Sequence, residues 1–597
     1  MKNKIFLLMF IAVIASCSQQ KTEQANDDVS ENMNKIFDNY YEERLKLFPL
    51  EATAIADNRY NDQLPCDISD SYRAKLKSFY KKYLDEISNV KRDELIGEDA
   101  LSHDVFKREM QIQLEGLSFH DNLIPFNQFW GMHLTFAQLG SGDGNQPFKT
   151  VKDYDDFLVR IHGFVIWCDT AVANMKRGME QKIVLPKALA EKIVPQLQAM
   201  VVKEVNESVF YSPIKKLPDS FSADDKRRLT DEYIKAISEE VIPSYKKLAD
   251  FVKDEYIPNC RATAGISDVP GGKELYAYLA KFWTTTTMTP DEIFETGQKE
   301  VARLRAEMEK IKIETGYTGD LKSFFNYLHT DKKFLPYKEP AEVIKSFKDI
   351  EARMQPQLKE LFNLVPKAKF EIRQTEKFRE KSASAEYNQS APDGSRPGIF
   401  YVPVPDAVKF NYVGNEYLFL HEAIPGHHYQ ISIQQENEVL PKFRRFGWYG
   451  AYGEGWALYT ELLGKELGLY TDPYLYFGSL NAEMHRAIRL VVDVGMHMKG
   501  WTREQAIQFS LENDAESEPD IIAEIERYMA IPGQALAYKI GQLKIIEIRK
   551  RAEQTLGEKF SIQKFHDEVL ISGCLPMEIF ESKMNTWIES QKSIAQK

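Results

Sequence analysis

Residues 415–428 read NEYLFLHEAIPGHH. The first six have the pattern of an amphipathic helix that runs directly into His421, so we predict that His421 lies on a helix. Pro425 cannot donate a hydrogen bond to the carbonyl of His421, and its ring clashes there, while Gly426 permits unusual dihedral angles. We therefore expect the helix to break between His421 and the next two histidines, His427 and His428.

These histidines are candidate metal ligands. On a regular helix, a residue six positions along is turned about 240° from the first, whereas one seven along returns to nearly the same face. Regular geometry would thus favour His428 over His427, but the expected break removes that criterion and both stay candidates. Glu422 follows His421 directly, as the general base does in His-Glu-x-x-His zinc hydrolases.

A second motif, GEGWALYTE, occupies residues 453–461. It predicts a helix that begins near a glycine, with Glu454 and Glu461 seven residues apart on one face. One carboxylate could bind zinc while the other orients a histidine. Two histidines and one glutamate would leave the fourth zinc position open for water. The alternative is a polar patch in the core whose hydrogen bonds are satisfied within the protein.

Outward from this region the chain is dominated by helical periodicity. Thr289-Pro290-Asp291-Glu292 is a strong helix start, with a Thr cap, Pro in the first turn and acidic residues at the positive end, and this helix should run to about Ile313. A short helix is expected around Leu321–Leu328. The other predicted helices are Asn32–Leu47, Ser71–Ile87, Asp153–Lys176, Leu185–Val209 and Asp224–Phe251. The fold class is mainly α, and no repeat is evident.

The segment Phe370–Pro405 interrupts this pattern. Short alternating runs and a turn-rich Pro392–Gly398 predict a small β-hairpin or meander just before the histidines. Its edge could hold an extended peptide by strand addition, or it could be a structural cap on the core. Both readings remain open.

The amino terminus has the features of an export signal. Lys2 and Lys4 precede an apolar run of 12 residues, which is too short to span a bilayer. It ends in Ile-Ala-Ser-Cys, similar to a bacterial lipobox, so residues 1–16 are predicted to be a lipoprotein signal peptide and Cys17 the lipidated residue. The alternative is an ordinary secretory signal. Residues 17–28 form a polar, flexible tether, and Ser18 after the cysteine favours the outer membrane over the inner.

Composition limits the remaining functions. The chain has 597 residues, 43% of them apolar, which is enough for a large core. A net charge of −12 without a basic stripe argues against nucleic acid as a partner. The remaining cysteines are scattered and predict buried thiols rather than a Cys-based zinc site, although one long-range disulfide stays open: Cys66, Cys168, Cys260 and Cys574.

The ordered motifs resemble a bacterial family known as DUF885, which is grouped with zinc metallopeptidases. The resemblance rests on HEAIPGHHYQ at 421–430, GEGWALYTE at 453–461, PDGSRPG at 392–398, RAIRLVVDVGMH at 486–497 and RY with PGQALAY at 527–538. It covers most of the mature chain and is strongest over 270–545. More distantly, the chain is similar to helical oligopeptidases and related carboxypeptidases.

The resemblance implies a deep cleft and one zinc ion in a helical metallopeptidase-like domain over 29–597, with its catalytic part at about 365–597 and two lobes as an open alternative. It implies His421, His427 and Glu454 as ligands, with Glu422 as general base. The two residues inserted before the second histidine depart from the oligopeptidase motif, so His428 remains an alternative to His427. Short peptides are the implied substrates.

The resemblance also places an oxyanion-stabilising donor in the C-terminal part of the catalytic lobe. The candidates there, of which we favour the two tyrosines, are Tyr528, Tyr538, His485 and His497. Arg486 and Arg489 share a helix face and could grip a substrate carboxylate, or else pair with Glu483 or Asp493. Trp448 and Trp456 are expected in the core.

Two other functions fit parts of this pattern. A non-catalytic lipoprotein that binds nutrients or peptides could have this size and anchor, but it would not need an acid beside a metal histidine. A zinc hydrolase of non-peptide amides or esters would use the same residues as a peptidase.

Overall fold

The computed structural model describes residues 29–594 except 378–379, 381–383, 392–393 and 395. The predicted signal peptide, Cys17 and tether lie outside the described residues. Helices account for most of the described chain, which confirms the mainly α class.

The helices of the first half are α1 (29–47), α2 (Pro49–Ala54), α3 (Asp70–Ser88), α4 (Gly97–Gly116), α5 (Met132–Gly140), α6 (Val151–Gln181), α7 (Lys187–Ala199), α8 (Ser212–Lys215), α9 (Ala223–Ala236), α10 (Ile242–Asp250), α11 (Gly272–Thr284) and α12 (Pro290–Glu314). Those of the second half are α13 (Leu321–Thr330), α14 (Pro340–Leu361), α15 (Asn415–Glu422), α16 (His427–Glu436), α17 (Lys442–Arg445), α18 (Gly450–Leu462), α19 (Pro473–Met498), α20 (Arg503–Asn513), α21 (Glu518–Ala530), α22 (Leu536–Leu556), α23 (Ile562–Ile571) and α24 (Met577–Ile594).

Local sequence signals account for most of these boundaries. The Thr289 hydroxyl accepts the N–H of Glu292, and the Glu292 carboxylate accepts the N–H of Thr289, so α12 begins with the predicted capping box. One predicted helix was too long, because α7 ends at Ala199 rather than Val209. The amides of Met200 and Val201 bond three residues back, and the β-branched pair Val201-Val202 disfavours a further helical turn.

The predicted hairpin is present as part of a three-stranded sheet. Strands β2 (Glu386–Asn388) and β3 (Gly398–Val402) are antiparallel, whereas β1 (Phe370–Gln374) pairs in parallel with β3 on its other side. The strand order β1-β3-β2 therefore excludes a simple meander and leaves β2 at an edge.

Two large apolar clusters surround these elements. One joins α5–α10 to α12, α13 and α19–α21, and the other joins α14, the sheet, α15, α16 and α18 to α22–α24. Cys66, Cys168, Cys260 and Cys574 are all free thiols, and no disulfide joins them. Cys168 and Cys574 are buried as predicted, whereas Cys66 and Cys260 are partly exposed.

A close helix contact fixes the position of α18. A Cβ atom on Gly455 would lie 2.5 Å from the backbone of Gly541, and one on Gly541 would lie 1.7 Å from the carbonyl oxygen of Ala451. No side chain fits between the helices at this point, so α18 and α22 touch backbone to backbone. This contact sets the depth of the helix that carries Glu454 and Glu461.

Candidate metal centre

The backbone between the histidines breaks where the sequence predicts. Helix α15 ends at Glu422 and α16 begins at His427, with a cis peptide bond before Pro425. A Cβ atom on Gly426 would lie 1.9 Å from the carbonyl oxygen of His421, so only glycine fits this turn. The indole N–H of Trp456 donates to the carbonyl of Pro425 at 2.8 Å and holds the break against α18.

The break brings His421 and His427 to one carboxylate. Nε2 of His421 lies 3.6 Å and Nε2 of His427 lies 3.5 Å from the same oxygen of Glu454. One ligand atom from each residue lies within 4.8 Å of the others. The two imidazole rings are perpendicular, with centroids 4.8 Å apart.

This donor set fits a zinc ion. Zinc bonds to nitrogen and oxygen of about 2.0–2.2 Å in tetrahedral geometry separate the ligands by roughly 3.3–3.6 Å. Both histidine–glutamate separations fall at that value, whereas the widest separation in the set reaches up to 4.8 Å, so the ligands would have to draw closer together around an ion. Two imidazoles and one carboxylate also match the ligand types of catalytic zinc sites, which keep a position open.

Glu461 orients one of the two imidazoles. Its carboxylate lies 2.8 Å from Nδ1 of His421, so Nδ1–H donates to Glu461 and the lone pair of Nε2 is directed towards Glu454. Glu461 and Glu454 thus lie beside different nitrogens of His421, and the division of labour between a metal ligand and an orienting carboxylate stays a prediction. His427 has no equivalent support, because its Nδ1 is buried without a hydrogen-bond partner in the described chain.

His428 points elsewhere. Its Nδ1 lies 2.9 Å from the hydroxyl of Tyr387 on β2, and its ring packs against Phe370 of β1 with centroids 4.9 Å apart. Burial lowers the pKa of His428 to about 4, so it is neutral and packs against the sheet. The structure therefore brings together His427, not His428, with His421 and Glu454.

The triad of His421, His427 and Glu454 lies in strongly negative surroundings. Glu422, Glu454 and Glu461 are all close to His421 in a buried region. Burial alone would lower the pKa of His421, but hydrogen bonds and charge from Glu454 and Glu461, with Glu422, raise it to about 10. Burial opposes ionisation of Glu454 as well, yet His427 and His421 hold its pKa far below the usual range. Such a cluster requires a positive charge, either a proton or a metal ion.

Glu422 follows His421 directly in the chain and is buried. Burial raises the pKa of Glu422, and the charges of His421 and His427 partly oppose that rise. It lines the same cavity as His421, His427 and Glu454. A carboxyl group with a raised pKa is suited to accept and return a proton near neutral pH.

The cavity has a volume of about 790 Å³ and reaches from the triad to the edge strand β2 and to helices α19 and α21. Ser384, Ala385, Glu386, Tyr387 and Gln389, in and beside β2, form part of its wall. Its size is typical of sites for small molecules and short chains.

Arg486 and Arg489 both line this cavity, and the expected pairing with Glu483 or Asp493 is wrong. Glu483 instead binds Lys539 and Arg303, and Asp493 accepts hydrogen bonds from Tyr276 and the amide of Gly533. These acids face α11, α12 and α22, which pack against α19. Arg489 pairs with Glu524 of α21 at 3.0 Å.

The two candidate tyrosines occupy different environments. Tyr538 lines the cavity, where burial and the charge of Glu454 raise its pKa. Tyr528 is 2% exposed, donates to Glu524 at 2.6 Å and accepts from Nε of Arg489 at 2.9 Å. It is not among the residues of the cavity wall. The geometry therefore favours Tyr538 over Tyr528 as a donor to a bound substrate.

The two candidate histidines are structural. His497 accepts the amide N–H of Ile266 at Nδ1, and its Nε2 lies 3.0 Å from the carbonyl oxygen of Tyr528, so both ring nitrogens are used. His485 is held by Asp514 and Glu524. Neither lines the cavity, because His485 is turned towards Asp514 and α21 and His497 lies between Ile266 and α21.

The two tryptophans differ in their exposure to solvent. Trp456 is fully buried, as expected. Trp448 is 46% exposed and lines the cavity, so its prediction as a core residue is wrong. It lies in the loop between α17 and α18, where its ring packs against the Gly453 backbone and near His427.

Sequence reasoning missed Glu524 and Tyr387. Glu524 precedes Arg527 by three residues and Tyr528 by four, and this helical spacing was the available signal for a shared cluster. Tyr387 carried no such signal, because its contact with His428 depends on the sheet.

Comparison with known proteins agrees with this architecture. Residues 49–584 match the family described as "Bacterial protein of unknown function (DUF885)". The chain belongs to the DUF885 family. A comparison with curated proteins found no match.

Two solved structures share the fold of this DUF885 protein. A protein from Colwellia psychrerythraea, provisionally described as a lipoprotein, is 28% identical with a TM-score of 0.85, covering 94% of this chain and 100% of its own. A provisionally described lipoprotein of unknown function from Shewanella oneidensis is 18% identical with a TM-score of 0.73, covering 92% and 99%. Within the described residues, no helix combines the length and apolarity needed to cross a membrane.

Proposed function

We propose that this DUF885 protein is a zinc-dependent hydrolase of short peptides. The observation that carries the proposal is the convergence of ligand atoms from His421, His427 and Glu454, with Glu422 in the wall of the same cavity. A zinc ion held there would polarise a substrate carbonyl and lower the pKa of a water molecule.

Glu422 is the proton carrier in this proposal. It would accept the proton of the attacking water and return it to the leaving amine, from its position beside His421 in the cavity wall. Glu461 keeps His421 in the tautomer that presents Nε2 to the metal. Tyr538, in the cavity wall, donates its hydroxyl hydrogen to the carbonyl oxygen as negative charge develops there.

The edge strand supports a peptide as substrate. Strand β2 pairs with β3 on one side, and its residues Glu386 and Tyr387 line the cavity beside the triad. An edge strand in the wall of a cavity can bond an extended peptide as an added strand. This favours peptide binding over the reading of the hairpin as a structural cap.

We also propose that the chain is an exported lipoprotein anchored through Cys17. The lipobox-like end of its signal sequence supports this, as does the provisional lipoprotein description of the Colwellia protein. Ser18 favours the outer membrane, with the domain facing the periplasm or the cell surface.

Metal analysis combined with peptide digestion tests the proposal. The purified protein should contain one zinc ion per chain and should cleave members of a short-peptide library. A chelator should abolish cleavage, and added zinc should restore it. A protein that binds peptides but cleaves none, with or without zinc, would instead be a binding lipoprotein. Cleavage confined to non-peptide amides or esters would retain the metal site and change the substrate.

A further inference from the structure

Three arginines line the cavity that contains the candidate metal centre: Arg486, Arg489 and Arg527. One carboxylate, Glu524, pairs with two of them, at 3.0 Å from Arg489 and 2.8 Å from Arg527. Within the described part of the chain, Arg486 has no carboxylate at ion-pair distance, and its Nη1 bonds only to the carbonyl of Ala482. The part of the cavity formed by these three arginines and Glu524, here called the arginine wall, therefore carries an excess of positive charge, while the carboxylates of Glu386, Glu422 and Glu454 line the rest of the cavity.

Buried guanidinium nitrogens of the wall also lack partners. Nη1 of Arg489 and Nε of Arg486 are buried and make no hydrogen bond to any described residue. Arg489 as a whole is only 7% exposed. A buried donor on a charged group costs free energy when it has no hydrogen-bond acceptor. A bound anion would supply acceptors to these guanidinium groups.

The arginines are held in place before any ligand arrives. Nε of Arg489 donates to the Tyr528 hydroxyl, and its guanidinium lies over the ring of Tyr538 at 4.7 Å. Nη1 of Arg527 donates to the side chain of Gln534 at 2.7 Å. Tyr528, which does not line the cavity, is thus a positioning residue for Arg489.

We infer that the arginine wall binds a free carboxylate of the substrate, which makes the preferred substrates short peptides with a carboxylate near the bond to be cleaved. This inference rests on the proposed function of the same cavity and specifies its substrate class. A planar carboxylate matches the paired N–H groups of a guanidinium, which favours arginine over lysine at such a site. The carboxylate could be the C-terminal one or the side chain of Asp or Glu.

A different role for Arg486 would be purely electrostatic. Burial raises the pKa of Glu422, and the charge of Arg486 partly opposes that rise. Loss of that influence would change the hydrolysis of every peptide alike. Recognition of a substrate carboxylate would instead change the ratio between peptides that have and lack it.

Matched peptides separate these roles. The wild-type protein should hydrolyse a peptide with a free C-terminus about 10- to 100-fold more efficiently in kcat/KM than its C-terminal amide. Arg486→Gln should bring that ratio close to one, and Arg486→Lys should restore part of it. Arg227→Gln, which changes an exposed arginine of α9, should leave the ratio unchanged. An amide with Glu in the last position shows whether a side-chain carboxylate serves as well.

Binding to the chelator-treated protein gives a second readout. Calorimetry should show tighter binding of the free acid than of the amide, with the difference lost in Arg486→Gln. If no peptide is cleaved but this difference holds, the proposed function fails while the carboxylate site stands. Equal binding and equal cleavage of acid and amide by the wild-type protein would overturn the inference, as would an Arg486→Gln variant that keeps the full ratio.

Discussion

Glu461 lies 2.8 Å from Nδ1 of His421, while Glu454, seven residues earlier on the same helix, lies 3.6 Å from Nε2 of that ring. Two carboxylates on one face of α18 thus lie beside the two ring nitrogens of His421. Because Nδ1–H is held by Glu461, Nε2 is directed to the point where Glu454 and His427 converge. The ring orientation is therefore set before a metal ion binds, and a metal ion would replace the proton on Nε2.

Weakening this support should weaken metal binding. Glu461→Gln retains a hydrogen-bond acceptor but loses the charge, so zinc affinity should fall by about 10- to 100-fold. A competition titration against a chromophoric chelator measures the change. Glu466→Gln, four residues beyond the end of α18 and exposed, is the matched control. Unchanged affinity in Glu461→Gln would remove Glu461 from the proposed site.

Replacing each of the adjacent histidines separates the two ligand assignments. His427→Ala should lose stoichiometric zinc, because it removes one of the three donors. His428→Ala should keep zinc and instead lose about 1–3 kcal/mol of unfolding free energy, since it removes the contact with Tyr387 and a packed ring. Metal content and urea unfolding measure the two effects. Loss of zinc in His428→Ala alone would reverse the assignment.

Much of this site could be predicted from local sequence. The capping box of α12, the break at Pro425 and the shared face of Glu454 and Glu461 all follow from spacing within a few residues. The choice between His427 and His428 could not, because it depends on the backbone angles of the broken turn, where Gly426 has a ψ of −129°.

The remaining differences come from contacts between distant segments. The parallel pairing of β1 with β3 joins strands that are not neighbours in the chain. Arg489 faces Glu524 rather than Asp493 because α21 packs against α19 at that level. The exposure of Trp448 follows from its place in a loop at the cavity mouth, which its residue type does not reveal.

Removing the proposed base should separate chemistry from metal binding. Glu422→Gln has nearly the same shape but cannot take a proton, so peptide hydrolysis should fall by about 10²- to 10⁴-fold while zinc content stays at that of the wild type. Steady-state kinetics and metal analysis of the same sample measure both. Activity within a few fold of the wild-type value would assign the base to another residue.

The two tyrosines offer a matched pair for the oxyanion donor. Tyr538→Phe removes a hydroxyl from the cavity wall, so kcat should fall by about 10- to 1000-fold with little change in unfolding free energy. Tyr528→Phe removes a buried hydroxyl bonded to Glu524 and Arg489, so it should cost about 1–3 kcal/mol of stability. Because Tyr528 positions Arg489, it should also reduce discrimination between free and amidated peptides. A larger fall in kcat for Tyr528→Phe than for Tyr538→Phe would exchange their roles.

Buried histidines away from the cavity should make the protein less stable in acid. Burial lowers the pKa of both His497 and His566 to about 3. Below pH 6.5 the unfolded chain binds a proton at each of these sites, whereas the native protein does so only near pH 3. The unfolding free energy should therefore fall as the pH drops through this window, by about 1.4 kcal/mol per pH unit for each histidine.

His497→Gln, which carries no titrating group, should reduce that slope by about 1.4 kcal/mol per pH unit between pH 6 and 4 in urea unfolding. Above pH 7 the difference in unfolding free energy between the variant and the wild type should be constant, because the histidine is then neutral in both the native and the unfolded protein. An unchanged slope in the acid range would mean that His497 is protonated in the native protein, which its bond from the amide of Ile266 opposes.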